Sequence, residues 1–329
     1  MSRLAMVFTG GTISTLPDAA AGGNTPVLNG AQILARSPGV ARVAEVEPID
    51  WGLVPASHLR FDQMIEIARV VDGALARAEI AGAVVVQGTD TIEETSFAYE
   101  LLLRSDKPVI VTGAMRDGSS PQFDGPRNLV DAAVCALSLE LNGAGVQVVL
   151  NGLVVPARDV VKSHSTAMDT FQPREAAATG RVIDERLVLD GTPARRVRLP
   201  RVPEHALQDV HLITAVVGMD GALVRALRPS HPAGVVVAAT GSGNTAADLL
   251  AAATELMSDG TIVAETTRCS HGTVAPVYAF PGGGAMWQRA GALPSVFDGP
   301  KTRVALALGL AAGLDRAALG RLLAGQSPA

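Results

Sequence analysis

The stretch that decides the fold is "VVVQGTDTIEET", residues 84–95, where a run of valines ends at a glycine and hydroxyl and carboxyl side chains follow. A continuous apolar run without polar alternation is typical of a strand buried on both faces by helices. Residues 4–13, "LAMVFTGGTI", repeat the arrangement, since another apolar strand runs into Gly-Thr. Ligands bind at the carboxyl ends of strands in open α/β sheets, so Thr12 and Thr89 are candidates for one polar cleft.

Strand and helix patterns alternate outward from these two stretches, which predicts an α/β doubly wound fold. Thr91 and Glu94 are spaced as a capping box at the start of one helix, and a proline stands in the first turn of another. The predicted strands of the N-terminal part are Leu4–Phe8, Ala83–Val86, Val109–Thr112, Val146–Leu150 and Leu153–Val155, and the predicted helices are Phe61–Arg77, Thr91–Leu103 and Pro126–Leu139.

The alternation loosens between about Val188 and Asp209, where proline and arginine are frequent. We interpret 191–209 as a linker between a larger N-terminal domain with a mixed sheet, residues 1–190, and a smaller α/β domain with a parallel sheet, residues 210–329. The predicted strands of the second domain are Val210–Val217, Gly234–Ala239 and Thr261–Glu265, and its predicted helices are Ala246–Met257 and Thr302–Ala312.

Composition excludes several classes of function. The net charge of −5 and the absence of a basic cluster argue against nucleic acid. No apolar run approaches the 18 residues of a membrane span, and the N-terminus does not read as a signal peptide. Two distant cysteines, Cys135 and Cys269, fit a reducing compartment, so we expect a cytoplasmic protein. The six histidines lack HxH or HExxH spacing, so no metal site is expected.

Six segments, in this order and spacing, resemble the bacterial-type L-asparaginase family, which also contains glutaminase-asparaginases. The resemblance covers nearly the whole chain and implies a larger N-terminal and a smaller C-terminal α/β domain. It also implies homodimers or homotetramers with active sites composed from two subunits. The segments are "TGGTIS" at 9–14, "QGTDTIEET" at 87–95, "DKPVIVTGAMR" at 106–116, "DGPRNLVDA" at 124–132, "ARDVVKSHSTAMDTF" at 157–171 and "GSGN" at 241–244.

The resemblance implies hydrolysis of a side-chain amide without a cofactor. Thr12 is then the nucleophile that forms an acyl-enzyme, and Thr89, Asp90 and Lys162 match a Thr-Asp-Lys constellation that supports it. Backbone N–H groups near Gly11 and Thr89 would bind the oxyanion. Because removing a proton from an ordinary lysine at neutral pH is costly, Lys162 is expected to polarise Thr89 and shuttle a proton rather than rest as a free amine.

Substrate binding carries over by matching position. Ser57 matches a serine that holds the α-carboxylate of the substrate, and Asp90 the group that takes the α-ammonium. His58 stands where glutamine is common, and Asn244 matches a residue that enters from a partner subunit. Further residues that the resemblance assigns to the substrate pocket are Gly11, Gly88, Thr89 and Ala114, and two histidines of matched segments, His164 and His271, could line the cleft.

Two departures from the family pattern concern the nucleophile. Many members have a tyrosine on the loop after the first strand, but Thr25 is the aligned residue here, in the glycine-bearing segment "AAAGGNTPVLNG" (19–30) that suits a lid. Many also have a partner-subunit glutamate near "CSHGTVAPVYAFPGG" (269–283), where this chain has none. Our hypothesis is that Tyr278 of a neighbouring subunit supplies the missing phenol, with an ordinary packed aromatic as the alternative.

Two other functions stay open at this point. The absent tyrosine and glutamate are compatible with an amino-acid or amide-binding protein of weak or no turnover. A glutaminase-type subunit that supplies ammonia usually has an extra domain before the first threonine motif, and only eight residues precede Thr9 here. Asparagine and glutamine differ by one methylene, worth about 1–3 kcal/mol in pocket fit, so the sequence does not rank them.

Overall fold

The structure is a computed structural model that describes residues 2–193, 196–205 and 209–328. The chain divides into two compact units, Met1–Arg196 and Val197–Ala329. Both are built of alternating strands and helices, as the sequence predicts. The linker proposed over 191–209 stays a prediction, and residues 194–195 and 206–208 within it lie outside the described residues.

The first unit contains twelve strands and five helices in its described part. Its strands are β1 (Arg3–Phe8), β2 (Thr15–Asp18), β3 (Gly23–Pro26), β4 (Glu45–Asp50), β5 (Ile80–Val86), β6 (Val109–Thr112), β7 (Val146–Leu150), β8 (Leu153–Pro156), β9 (Val160–Lys162), β10 (Phe171–Pro173), β11 (Gly180–Ile183) and β12 (Arg186–Leu189). Its helices are α1 (Gly30–Ala35), α2 (Val40–Val43), α3 (Phe61–Leu75), α4 (Ile92–Leu102) and α5 (Gly125–Ala136).

Eight of these strands form one mixed sheet in the order β12-β11-β8-β7-β6-β5-β1-β4. The strands from β4 to β7 are parallel, whereas β8, β11 and β12 are antiparallel to their neighbours. In the register, Phe8 pairs with Val86, and Val86 with Thr112. The three central strands therefore end side by side, and the loops after them share one edge of the sheet.

Burial explains why the valine-rich segments form the centre of this sheet. Every residue of β6 and β7 is buried, and β1 is buried from Leu4 onward. Helix α5 packs with alternate strand residues such as Met6, Val84 and Ile110, while α3 and α4 pack against each other and against β1, β5 and β7. Each buried aliphatic side chain stabilises the fold by about 1.5–3 kcal/mol, so the continuous apolar runs are placed in the interior.

The second unit is a parallel sheet with five helices in its described residues, in the strand order β13-β14-β15-β16. Its core joins valines of β14 and β15 to Trp287 and to the helix after β14. The elements are β13 (Val210–Thr214), α6 (Ala222–Leu227), β14 (Gly234–Ala239), α7 (Ala247–Ser258), β15 (Ile262–Thr267), α8 (Gly284–Ala290), β16 (Leu293–Pro294), α9 (Gly299–Ala311) and α10 (Arg316–Leu323). In the described part of the chain, no helix is long and apolar enough to cross a membrane.

Two local predictions were wrong. The capping box at α4 does not form, because the Thr91 side chain makes no cap bond and its hydroxyl donates to Ala56 O at 3.1 Å. Strand β13 ends at Thr214, and the apolar Val217 beyond it is 99% exposed. Residues 19–30, the predicted lid segment, include β3, which pairs with β2 as an antiparallel hairpin. Its role as a lid stays a prediction.

Candidate active site

The two Gly-Thr strand ends are in contact. Gly11 has a φ of 89°, and a Cβ on it would lie 2.1 Å from the amide nitrogen of Gly88. Only glycine fits such a backbone approach. Each glycine is followed by a threonine that opens a 3-10 turn, Thr12–Ser14 in one case and Thr89–Thr91 in the other. The prediction that the two ends share one edge of the sheet is met by this contact.

The hydroxyl groups at the turn 12–14 have different roles. Ser14 donates its hydroxyl to Gly11 O at 2.6 Å, and Thr15 donates to Thr12 O at 2.8 Å. Both hydroxyls are therefore used to hold the turn, whereas Thr12 is half-buried at the edge of the sheet. Gly11 and Gly88 precede the two turns, and neither turn has a side-chain cap. The first N–H groups of both turns are therefore available to another acceptor.

Lys162 reaches the second turn from a distant part of the chain. It is the last residue of β9, which pairs with β10 as a hairpin. Its Nζ lies 3.1 Å from Thr89 Oγ1 and 2.8 Å from Asp90 Oδ1. The Lys162 side chain is 13% exposed and that of Asp90 is 70% exposed. The ammonium group thus bonds the buried hydroxyl of Thr89 on one side and the exposed carboxylate of Asp90 on the other. These three residues were predicted to lie together.

Glu93 is a site residue that the sequence analysis missed. Its Oε2 accepts the backbone N–H of Lys162 at 2.9 Å, which ties the end of β9 to the first turn of α4. The signal in the sequence is a carboxylate three residues after Asp90, on the same face of a helix start. Nothing in the sequence, however, indicates which segment that carboxylate meets.

A third turn, Ala56–His58, lies against the second. Thr91 donates its hydroxyl to Ala56 O, and a Cβ on Gly88 would lie 2.8 Å from the Ala56 Cβ. Ser57 and His58 follow Ala56 and are exposed. The structure therefore brings both predicted substrate-binding residues beside the turn that bears Asp90.

Beneath the second turn lies a buried polar network. Gln87 Nε2 donates to Thr95 Oγ1 at 2.7 Å, and Gln87 Oε1 accepts from the Tyr99 hydroxyl at 3.5 Å. Burial raises the pKa of Tyr99 above its ordinary value, so this phenol stays neutral and inside the fold. Tyr99 is therefore not a substitute for the tyrosine that the lid segment lacks.

The loop after β6 closes the other side of Thr89. A Cβ on Gly113 would lie 2.4 Å from Gln87 O and 3.4 Å from Thr89 Cγ2. Ala114, the next residue, is fully buried, so its side chain is part of the wall and its backbone is what a substrate could meet.

The remaining residues that the sequence analysis named make their own local contacts. Thr25 lies on β3, where it pairs with Leu16. The ring Nδ1 of His164 accepts the N–H groups of Thr166 and Ala167 at 3.0 Å each, so His164 orders its own turn. The other three are in the second unit: Asn244 ends a turn after β14, Tyr278 is half exposed with its ring 5.6 Å from that of Phe280, and His271 is exposed. Among the described residues, no three His, Cys, Asp or Glu side chains form a metal site.

Comparison with known proteins agrees with this arrangement. Residues 3–195 match the family described as "Asparaginase, N-terminal", and residues 209–323 match "Glutaminase/Asparaginase C-terminal domain". A probable L-asparaginase of Deinococcus radiodurans is 33% identical over 96% of this chain and 95% of its own length. L-asparaginase 2 of Bacillus subtilis is 31% identical over 65% of this chain and 58% of its own length.

The fold is likewise that of a solved structure. The crystal structure of a probable cytoplasmic L-asparaginase from Campylobacter jejuni has a TM-score of 0.82 and 25% sequence identity, with 94% of this chain and 95% of that chain covered. Both family descriptions, the full-length identity and the adjoining threonine turns agree. The chain belongs to the asparaginase family of hydrolases.

Proposed function

We propose that the protein hydrolyses the side-chain amide of L-asparagine to L-aspartate and ammonia, with Thr12 as the nucleophile. The observation that carries this proposal is the pair of bonds from Lys162 Nζ to Thr89 and Asp90, beside a turn whose glycine touches the Thr12 turn. The Thr12 oxygen bonds to the amide carbon, and its proton goes to the leaving nitrogen. The C–N bond breaks, ammonia leaves, and water cleaves the ester to restore the hydroxyl.

The developing negative charge on the amide oxygen needs donors that are already in place. The first N–H groups of the turns at 12–14 and 89–91 are not capped by side chains. Gly11 and Gly88 let the substrate approach both turns closely. Removing one donor of this kind in other hydrolases costs about 10²–10³-fold in kcat, so the pairing of two turns is a large part of the proposed catalysis.

Lys162 acts in this proposal as a charged donor. Its ammonium donates to Thr89 Oγ1, which leaves the Thr89 hydroxyl hydrogen directed elsewhere, toward substrate or water. Asp90 holds the ammonium in position and keeps most of its surface open. Thr89 and Lys162 would then pass the proton between the Thr12 hydroxyl, the leaving nitrogen and the attacking water.

Substrate recognition is assigned to the exposed groups around the turns. Asp90 takes the α-ammonium and Ser57 the α-carboxylate, with His58 beside it. The backbone at Ala114 borders the amide, and Asn244 of a neighbouring subunit completes the pocket. Asn244 fits such a role because its Oδ1 is held by Gly284 N–H at 3.3 Å, which fixes the side chain and directs its amide nitrogen away from that bond.

Tyr278 of a neighbouring subunit is our candidate for the phenol that assists Thr12, in a cytoplasmic homodimer or homotetramer. Its support is elimination: the chain has two tyrosines, and Tyr99 is buried beneath the site whereas Tyr278 is half exposed. Tyr278→Phe should lower kcat by about 10²-fold, the size of one acid–base group, without changing the oligomer measured by light scattering. An unchanged kcat would assign Tyr278 to packing.

Ammonia release from asparagine tests the function directly. We expect release by the wild type and a loss of at least about 10⁴-fold in Thr12→Ala. Thr254→Ala is the matched control, because Thr254 lies on α7 in the second unit and its hydroxyl donates to Leu250 O at 2.8 Å. Release that survives in Thr12→Ala contradicts the proposal. Binding of asparagine without release identifies an amino-acid-binding protein, and faster release from glutamine a glutaminase.

A further inference from the structure

Glu265 has no place in the proposed mechanism, and its surroundings are unusual for a carboxyl group. It lies on β15 and is fully buried. Neither of its side-chain oxygens has a hydrogen-bond partner in the part of the chain that the structure describes. A buried polar group without a partner is costly, and native proteins contain few of them. Such a group calls for an explanation of what it does there.

The carboxyl group lies against a glycine turn. A Cβ on Gly243 would be 2.8 Å from Glu265 Oε1, and Gly243 has a φ of 112°. The residue that follows Gly243 is Asn244. The carboxyl group of Glu265 is therefore in contact with the backbone that immediately precedes the Asn244 side chain.

The turn is closed on itself and leaves the carboxyl out. Thr240 and Asn244 exchange backbone bonds of 3.0 and 2.9 Å, and the Thr240 hydroxyl donates to Asn244 O at 2.7 Å. Gly243 N–H donates to Thr240 O at 3.1 Å. With those donors engaged, Glu265 touches the turn by packing alone, so the position of Gly243 depends on the size and the charge of that carboxyl.

We propose that Glu265 is a positioning residue that holds Asn244 through Gly243 as an uncharged carboxyl, and that its ionisation displaces the 240–244 turn. This inference rests on the proposed function, because Asn244 is a substrate-pocket residue only there. Burial raises the pKa of Glu265 to about 8, which agrees with an uncharged group near neutral pH.

Among the residues that the structure describes, none forms an ion pair with the Glu265 carboxyl group. The strand neighbours that share its face, such as Val263 and Val237, belong to an apolar cluster with Trp287. The charged side chains of the elements packed there bond other groups: Arg225 bonds Asp248 and Glu255, Arg268 donates to Ala215 O, and Arg289 contacts Met286. On α9, Lys301 bonds Asp298 and Arg303 donates to Val210 O. An ionised Glu265 would need water. Gly241, in the turn that Glu265 contacts, is exposed, so we infer that water would enter through this turn.

The test compares Glu265→Gln with the wild type in ammonia release from asparagine at about pH 7 and about pH 9.5, either side of that pKa. We expect similar KM values at the lower pH and a KM about tenfold higher in the wild type at the higher pH, the size of one lost hydrogen bond. The substrate amino group titrates equally for both proteins and cancels in the ratio. A ratio that stays the same at both pH values overturns the proposal.

The Asn244→Ala background separates positioning from a general effect on the fold. There, Glu265→Gln should no longer change the ratio of KM values, because the residue through which it acts is gone. An equal change with and without Asn244 would overturn the proposal. Glu265→Met, an uncharged variant of similar length, should behave as Glu265→Gln does if the latter folds poorly. Loss of all ammonia release in the wild type would instead defeat the proposed function, which is a different result.

Discussion

The two sheets of this protein treat a carboxyl group beside a glycine turn in opposite ways. After β5, Asp90 is open to solvent and bonded to Lys162. On β15, Glu265 is buried and has no hydrogen-bond partner among the described residues. Both lie beside a glycine that a larger residue could not replace, Gly88 in one unit and Gly243 in the other. Asp90 lies in the turn after its own strand, whereas Glu265 lies within β15 and touches the turn after β14.

The difference follows from the cost of burying charge. A charged pair at the edge of a sheet keeps part of its hydration, and Lys162 compensates Asp90 directly. A carboxyl group within an apolar cluster keeps its proton instead, because the charged form would lose its hydration without gaining a partner. The first arrangement suits chemistry on a substrate, whereas the second makes one unit sensitive to pH.

The largest effect is expected from removing Lys162, the charged partner of Asp90 in the first unit. Lys162→Met should lower kcat about 10³-fold, because both Thr89 and Asp90 lose their donor. The measurement is steady-state ammonia release together with a thermal melt. Arginine at this position should not restore activity, since its planar fork does not reproduce a single ammonium point.

Lys107→Met is the matched control for that variant. The Lys107 ammonium donates to three backbone carbonyls, those of Leu75, Arg77 and Ile80, at 2.6–2.8 Å. Its loss should lower the melting temperature and leave kcat unchanged. If the two lysine variants had the same effect on kcat and on melting, Lys162 would be another structural lysine.

The second effect is on stability, and it comes from the buried carboxyl group of Glu265 in the second unit. Because the folded-state pKa of Glu265 is about 8 and its ordinary value is 4.5, the folded form binds the proton more tightly than the unfolded chain does. Its contribution to stability is then fully present below about pH 4.5 and lost as pH rises toward about 8. At pH 7 this loss is about 3 kcal/mol, and Glu265→Gln should remove it.

Denaturant unfolding at about pH 5 and about pH 8 measures this difference. Asp131→Asn is the control, because Asp131 is also buried and burial also raises its pKa, but Arg127 bonds it at 2.8 Å and opposes the shift. The pH dependence that Asp131→Asn removes should be the smaller of the two. Equal slopes for the wild type and Glu265→Gln would mean that Glu265 is ionised inside the fold.

The sequence was sufficient for the elements whose burial is symmetrical. The bounds of β6, β7 and β14 are those predicted, because a strand covered on both faces is apolar at most of its positions. The hairpin of β2 and β3 and edge strand β4 have no such run, and Pro48 within β4 is compatible only with an edge. These elements are decided by pairing with distant residues.

The candidate site divides in the same way. Thr12, Thr89 and Asp90 follow predicted strands, and parallel pairing brings their turns together. The approach of Lys162 to Thr89 spans 73 residues, and only the resemblance to a family indicated it. The capping box failed because Ala56 O competes for the Thr91 hydroxyl, and Glu265 reads as an ordinary strand residue until the absence of a partner is seen.

A smaller effect is expected at the open carboxylate of Asp90, which we propose as the partner of the substrate α-ammonium. Asp90→Asn keeps an acceptor for Lys162 but removes the charge that the α-ammonium would meet. KM for asparagine should rise about 10- to 100-fold, the value of a charge-assisted hydrogen bond, with a smaller change in kcat. For an amide substrate without an amino group, the wild type and Asp90→Asn should have the same KM. If its KM rises as much, Asp90 acts through Lys162 and not on the ammonium.

The smallest expected effect separates the hydrogen bond that Glu93 accepts from the charge that Glu93 carries. The Glu93 carboxylate accepts the backbone N–H of Lys162 at 2.9 Å. Glu93→Ala should lower kcat about tenfold, since one hydrogen bond fixes the end of β9. Glu93→Gln should restore most of the loss, because its amide oxygen accepts the same N–H without a charge. Were Glu93→Gln as slow as Glu93→Ala, the charge of Glu93 and not its bond would matter, and the first unit would hold its lysine by a carboxylate pair instead of by Asp90 alone.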